Sequence, residues 1–172
     1  MADEPRLPLF DVVRRFRLSA AERALFGRSD TDATLEKVRL LTAAAIFFNA
    51  SAVSDFGGRL APTRGRGLVE QAVGAAFQTY GDEDPHPSPF EKAAMLLRGI
   101  TQGHPFNDGN QRTGFLLAAF FLDLVGHSYP PRLSVAGVTT LAFDVSAGTI
   151  RDVAVIAAAL ERLWMGNARS ER

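Results

Sequence analysis

His104-Pro105-Phe106-Asn107-Asp108-Gly109-Asn110-Gln111-Arg112 runs straight into Thr113-Gly114-Phe115-Leu116-Leu117-Ala118-Ala119-Phe120-Phe121-Leu122-Asp123-Leu124-Val125, and the reading of this stretch decides the fold. Over 111–125 almost every position is apolar, as in a helix surrounded by other helices rather than one with a wet face. The sequence therefore predicts an all-α bundle with that helix at its centre. The polar run before it sets an imidazole, a carboxylate, a glycine turn and an arginine at the helix N-terminus. Free backbone N–H groups and the positive end of the dipole attract an anion there.

Helical spacing recurs on both sides of this element. Leu35, Val38, Leu41, Ala45 and Phe48 return at steps of three and four, predicting a long helix over 32–52 that Gly57 and Gly58 end. Ser19 with Glu22 has the spacing of a capping box and starts a short helix over 20–26, with Gly27 as its stop. Further helices are expected over 68–80, from about Ser88 through Ile100, and over 149–164; the segment 134–143 is ambiguous. Arg59, Arg64 and Arg66 fall in a glycine- and proline-containing loop over 59–67, read as solvated. A second loop, 81–89, holds Pro85, Pro87 and Pro89, which lack the N–H groups that a sheet interior requires.

Composition narrows the function. The 172 residues are 47% hydrophobic and 22% charged, which suits one domain closing its own core. Nineteen Lys+Arg balance nineteen Asp+Glu, so there is no broad positive field for a nucleic-acid backbone or an anionic membrane. Cysteine is absent, which removes disulfide scaffolds, thiolate metal sites and thiol nucleophiles together. The opening Met1-Ala2-Asp3-Glu4-Pro5-Arg6 is acidic where a signal peptide is basic, and the uncharged run between Arg39 and Asp55 is shorter than the roughly twenty residues of a membrane span. A cytoplasmic protein is the expectation.

The chemistry concentrates in the run 104–112. Gly109 permits close backbone approach, Asn110 adds an amide, and Arg112 offers a planar fork of donors matched to phosphate oxygens. Asp108 is a hard oxygen ligand placed to hold Mg²⁺ shared with phosphates, and His104 can take a proton from a hydroxyl. Taken singly, each residue also has a structural reading: His104 and Asp108 as helix caps, Phe106 as core, Arg112 as a solvated first-turn side chain. The other histidines read as structural, His86 in an exposed acidic loop and His127 as a C-cap after Gly126.

The run is similar to the Fic/Doc signature His-x-Phe-x-(Asp/Glu/Asn)-(Gly/Ala)-Asn-(Gly/Lys)-Arg. Gly67-Leu68-Val69-Glu70-Gln71-Ala72, Phe90-Glu91-Lys92-Ala93-Ala94, and Phe121-Leu122 before Gly126 resemble its Doc (death-on-curing) branch. The resemblance covers about 35–165, leaving residues 1–30 as an N-terminal extension of unassigned role ahead of a Fic/Doc domain over 31–172. It implies an all-α, Fic/Doc-like bundle and a transferase that moves part of a nucleoside triphosphate, normally ATP with Mg²⁺, onto a protein hydroxyl. By that resemblance His104 is the base, Asp108 the Mg²⁺ ligand, and Gly109, Asn110, Gln111 and Arg112 line the phosphates, while Phe106 anchors the loop. It also implies a flap beside the motif that holds the target as an added strand, with 79–89 in that place.

Two positions depart from the adenylylating pattern. Gln111 stands where that pattern has glycine and the Doc branch has lysine, and Phe115 stands where it has a second arginine. Both departures favour phosphoryl transfer over adenylyl transfer (AMPylation). The pattern (Ser/Thr)-x-x-x-Glu-(Gly/Asn) of the family's inhibitory helix does not occur in the sequence, which implies a separate antitoxin. The readings to be separated are therefore a Doc-like kinase toxin, an AMP transferase, and a catalytically silent helical module that binds a partner in the same cleft. A metal-dependent hydrolase using His104 and Asp108 is the weakest, for want of further ligands.

Overall fold

A computed structural model describes residues 8–59 and 63–166. The acidic opening up to Arg6 and positions 60–62 of the arginine loop lie outside them. The order is α1 Leu9–Arg15, α2 Ala20–Ala24, α3 Thr31–Phe56, α4 Arg66–Gly74, α5 Pro89–Gly103, α6 Asn110–Leu124, α7 Val135–Ser146 and α8 Val153–Met165, with 3-10 turns at Leu25–Gly27 and Ala75–Phe77. No strand occurs among the described residues, only an isolated bridge between Tyr80 and Glu83. The fold is all-α.

Helix α6 is the axis of the bundle. Every residue from Thr113 to Leu122 is buried, and α6 packs most extensively along α5 and then α3. Phe48 and Phe120 meet edge-to-face at 5.3 Å between centroids, one of several aromatic pairs that fill the space between these helices. The uniform apolarity over 111–125 thus has its expected cause. None of the described helices is long and apolar enough to cross a membrane.

Local chemistry sets the helix ends. Asp30 caps α3 by accepting from the Ala33 N–H at 3.0 Å, and Gly57 closes it at φ 85°, so the helix runs one turn beyond its expected end at 52. Capping boxes form at Ser19–Glu22 and at Ser88–Glu91, the second with Pro89 as the first helical residue. Ser134 accepts from the Gly137 N–H, which resolves the ambiguous segment as helix α7. The helix expected to reach Tyr80 stops instead at Gly74 and continues only as the turn to Phe77.

Residues 8–30 share the common core. Phe10, Val12 and Val13 of α1 are buried, and Phe10 lies 6.2 Å from the Phe115 ring and 4.6 Å from that of Tyr129. One expectation is corrected outright. The segment 79–89 forms a small two-residue turn beside α6, but at the wrong end for a flap over the motif. Phe77 before it meets Phe121 edge-to-face, and Phe90 after it packs against the His127 ring, both at the C-terminal end of α6. Helix α5, about 22 Å long at 1.5 Å per residue, separates Pro89 from His104.

Candidate functional site

The motif forms the loop between α5 and α6. His104 is the residue that closes α5, in the left-handed region at φ 45°, ψ 51°, and is the one non-glycine residue with positive φ among the described residues. It therefore ends a helix rather than preceding one. Its side chain is exposed, while Pro105 and Phe106 turn inward and Phe106 is 1% exposed. The chain then rises through Asp108 to Gly109, the N-cap of α6.

The loop is held by its own side chains. Asn110 accepts from the Phe106 N–H at 3.1 Å and donates to the Phe106 carbonyl at 2.9 Å. Its amide is a staple across the loop that uses its oxygen and one of its two N–H groups. Gly109 sits at φ 73°, and a Cβ there would come within 3.1 Å of both Asn49 and Val53. Only glycine meets both the conformation and the closeness to α3.

Helix α3 supplies the other wall. Asn49 Nδ2, on a residue 8% exposed, donates to the Asp108 carbonyl at 2.7 Å and to Thr113 Oγ1 at 3.1 Å. Arg112 is neither solvated nor wholly free. It donates through Nη1 to the Ala52 carbonyl at 3.3 Å and through Nη2 to the Gly57 carbonyl at 2.9 Å, at the negative end of α3. Three of its five N–H groups remain for other acceptors.

Gly58, Arg59 and Arg64, not the 79–89 segment, lie against the motif. The Arg59 N–H donates to Asp108 Oδ2 at 3.0 Å and the Arg64 N–H donates to the Pro105 carbonyl at 3.1 Å. Gly58 approaches so closely that an added Cβ would stand 2.8 Å from Asp108 Oδ2. Arg59, Arg64 and Arg66 are exposed, as the solvated reading expects, while the backbone N–H groups of Arg59 and Arg64 form part of the site's frame.

Asp108 is oriented as an ionised ligand. Its Oδ1 accepts from the Gly109 N–H at 2.6 Å and its Oδ2 from the Arg59 N–H. These two donors, Arg59 first, hold its carboxyl below the usual carboxylate range, the charges of Arg112 and Arg59 add to the effect, and partial desolvation opposes it. A lowered folded-state value means that stabilisation is present above the unfolded value of about 3.9 and is lost as pH falls through the folded one. Asp108→Asn is accordingly expected to lower the urea midpoint at pH 7, with the difference from the parent chain shrinking as pH falls below the unfolded carboxylate value. Equal midpoints at pH 7 would contradict this ordering.

The α6 N-terminus receives no side-chain cap, so its first-turn N–H groups are available to an anion beside Asp108 and Arg112. The donor set fits phosphate oxygens. No group of three or more His, Cys, Asp or Glu that could hold a metal ion occurs among the described residues. The hard oxygens of Asp108 fit Mg²⁺ in the way that cation is usually held with nucleotides, by one carboxylate completed with phosphate oxygens and water. Gln111 is exposed on the same turn, whereas Phe115 is 1% exposed and its ring centroid lies 6.1 Å from that of Trp164.

Sequence reasoning missed Asn49, Gly58 and the backbone of Arg59. Only Asn49 left a signal, an amide inside an otherwise apolar helical run. His86 and His127 stay outside the site: the His86 N–H donates to Asp84, and the His127 N–H closes α6 on the Leu122 carbonyl at 2.8 Å.

Comparison with known proteins agrees with this geometry. The Fic/DOC family pattern matches residues 39–122, which contain the whole motif loop, its α3 wall and most of α6. A protein named Toxin Doc from Mycolicibacterium smegmatis is 35% identical over 92 residues, covering 54% of this chain and 64% of that protein. A Fido domain-containing protein of Dictyostelium discoideum is 36% identical over 69 residues, covering 39% of this chain and 48% of its own length. Over these residues the chain is similar to the Fic/Doc family. It spans less than two thirds of either relative.

Proposed function

We propose that this chain is a Doc-like toxin that transfers a phosphoryl group from ATP to a hydroxyl of a host protein, acting in the cytoplasm. The observation that carries the proposal is the meeting of an exposed imidazole, an ionised carboxylate and an arginine around one uncapped helix N-terminus. A surface built only for binding a peptide has no need of that combination. The likeness to a protein named Toxin Doc supports the toxin reading and a separate antitoxin as partner.

Each residue has a defined task. Asp108 would hold Mg²⁺, which would supply positive charge to offset that of the phosphates. The first-turn N–H groups of α6, the remaining N–H groups of Arg112, Gln111 and the second N–H of Asn110 orient the phosphates. Asn49 and the Arg59 backbone keep Asp108 and the loop in place. The hydroxyl oxygen attacks the γ-phosphorus as the bond to the β,γ-bridging oxygen breaks, ADP leaves, and the hydroxyl proton passes to His104. Positioning and electrostatics carry most of the rate.

Phe115 supports phosphoryl over adenylyl transfer, because that position is spent on the core between α1 and α8 and brings no second guanidinium to the phosphates. The test is transfer in bacterial lysate with Mg²⁺ and ATP labelled at either the γ- or the α-phosphate. Label from the γ position alone is expected. Label from the α position would make the protein an AMP transferase, and label from neither would make it a silent binding module.

A further inference from the structure

Arginine dominates the basic residues, and the chain's two lysines, Lys37 and Lys92, line one and the same cavity of about 660 Å³. It lies between the start of α3, the 79–89 turn and the C-terminal end of α6. Phe121 of its wall is eleven residues along α6 from Asn110, about 17 Å from the motif loop. The cavity is thus separate from the nucleotide site.

Its two ammonium groups are in different situations. Lys92 is neutralised: Nζ lies 2.6 Å from Asp84 Oδ2, donates to the Ala76 carbonyl, and sits 5.5 Å from the centre of the Phe77 ring. Lys37 is 8% exposed and forms no ion pair with any described residue. Its one hydrogen bond among the described residues is to the Arg28 carbonyl, so two of its three donors are unclaimed. Burial first, then the neighbouring charge of Lys92, pushes its pKa down, and the more distant carboxylate of Asp30 opposes this without forming an ion pair. Asp82, the second acid lining the cavity, stands exposed on the turn and is screened by water.

A buried cation with no ion-pair partner in contact is rare, because desolvation is not offset unless an anion or other acceptors face it. The rest of the wall is aromatic, with Phe26, Phe77 and Phe121. The volume falls within the range of small-molecule pockets, which join an apolar body to a few placed polar groups. We propose that this cavity is a second ligand site, for a small organic anion whose carboxylate or phosphate meets the Lys37 ammonium and whose apolar body lies on the three phenylalanines.

The test uses the full chain and needs no transfer assay, so its failure is distinct from failure of the function proposed above. Fluorescence titration with 8-anilinonaphthalene-1-sulfonate is expected to show one saturable site per chain. Benzoate, phenyl phosphate or both should displace the dye, and which of them does so separates a carboxylate from a phosphate ligand. Lys37→Met, which keeps the length of the stem, should weaken dye binding at least about tenfold, the effect of one charge-assisted hydrogen bond. Should that variant not fold, ¹³C-lysine labelling of the parent chain resolves only two side chains, and the Lys37 εCH₂ signal should shift saturably with the displacing anion. Displacement by neither anion, unchanged affinity in folded Lys37→Met, or a Lys37 signal that stays still would each overturn the proposal.

Discussion

His104→Ala is expected to abolish transfer while leaving nucleotide binding and the fold in place. A positioned general base contributes about 10²- to 10⁴-fold, so the loss should fall in that range or beyond detection. The side chain is exposed, and its removal opens no cavity. The backbone needs separate control, because His104 is left-handed at φ 45° and alanine tolerates that region less well. Asparagine adopts it readily, so His104→Asn removes the base without the strain. Both variants should bind Mg²⁺–ATP as the parent does, since the proposed phosphate contacts come from α6 and Arg112. Full transfer by either would sink the assignment of the base.

The contrast between His104 and Asn49 shows what the sequence made legible. Order and spacing along 104–112 were enough to assemble the site in outline, because one loop carries the imidazole, the carboxylate and the helix N-terminus. The apolar stretch after it was enough to place the central helix. What could not be read was tertiary closure. Asn49 reaches Asp108 across 59 residues, and Arg112 reaches the Ala52 carbonyl across 60, through packing that local periodicity does not encode. The same limit explains the misplaced flap. The resemblance put 79–89 beside the motif, whereas the length of α5 carries it to the far end of the bundle and leaves Gly58 and Arg59 beside Asp108. Gln111 and Phe115 show a third case, where sequence identified the departure and the burial of Phe115 supplied a physical reason for it.

Phe106→Ala is expected to destabilise the chain more than any other single change in the motif, although Phe106 touches none of the chemistry. The ring is 1% exposed in the common core, and truncating a buried phenylalanine costs about 3–5 kcal/mol from lost transfer energy plus the cavity left behind. For a chain of this size that corresponds to a fall in Tm of about 6–20 °C. The effect should also reach transfer below the new Tm. Both hydrogen bonds of the Asn110 staple end on the Phe106 backbone, and that staple sets where Asp108 and Gly109 stand. Phe106→Leu keeps most of the volume and should cost less than about 1.5 kcal/mol, with transfer largely retained. Calorimetry on the three proteins, with transfer assayed at a temperature where all are folded, separates the anchor from the chemistry. A Phe106→Ala protein melting within 2 °C of the parent would mean that the loop is held by its polar contacts alone.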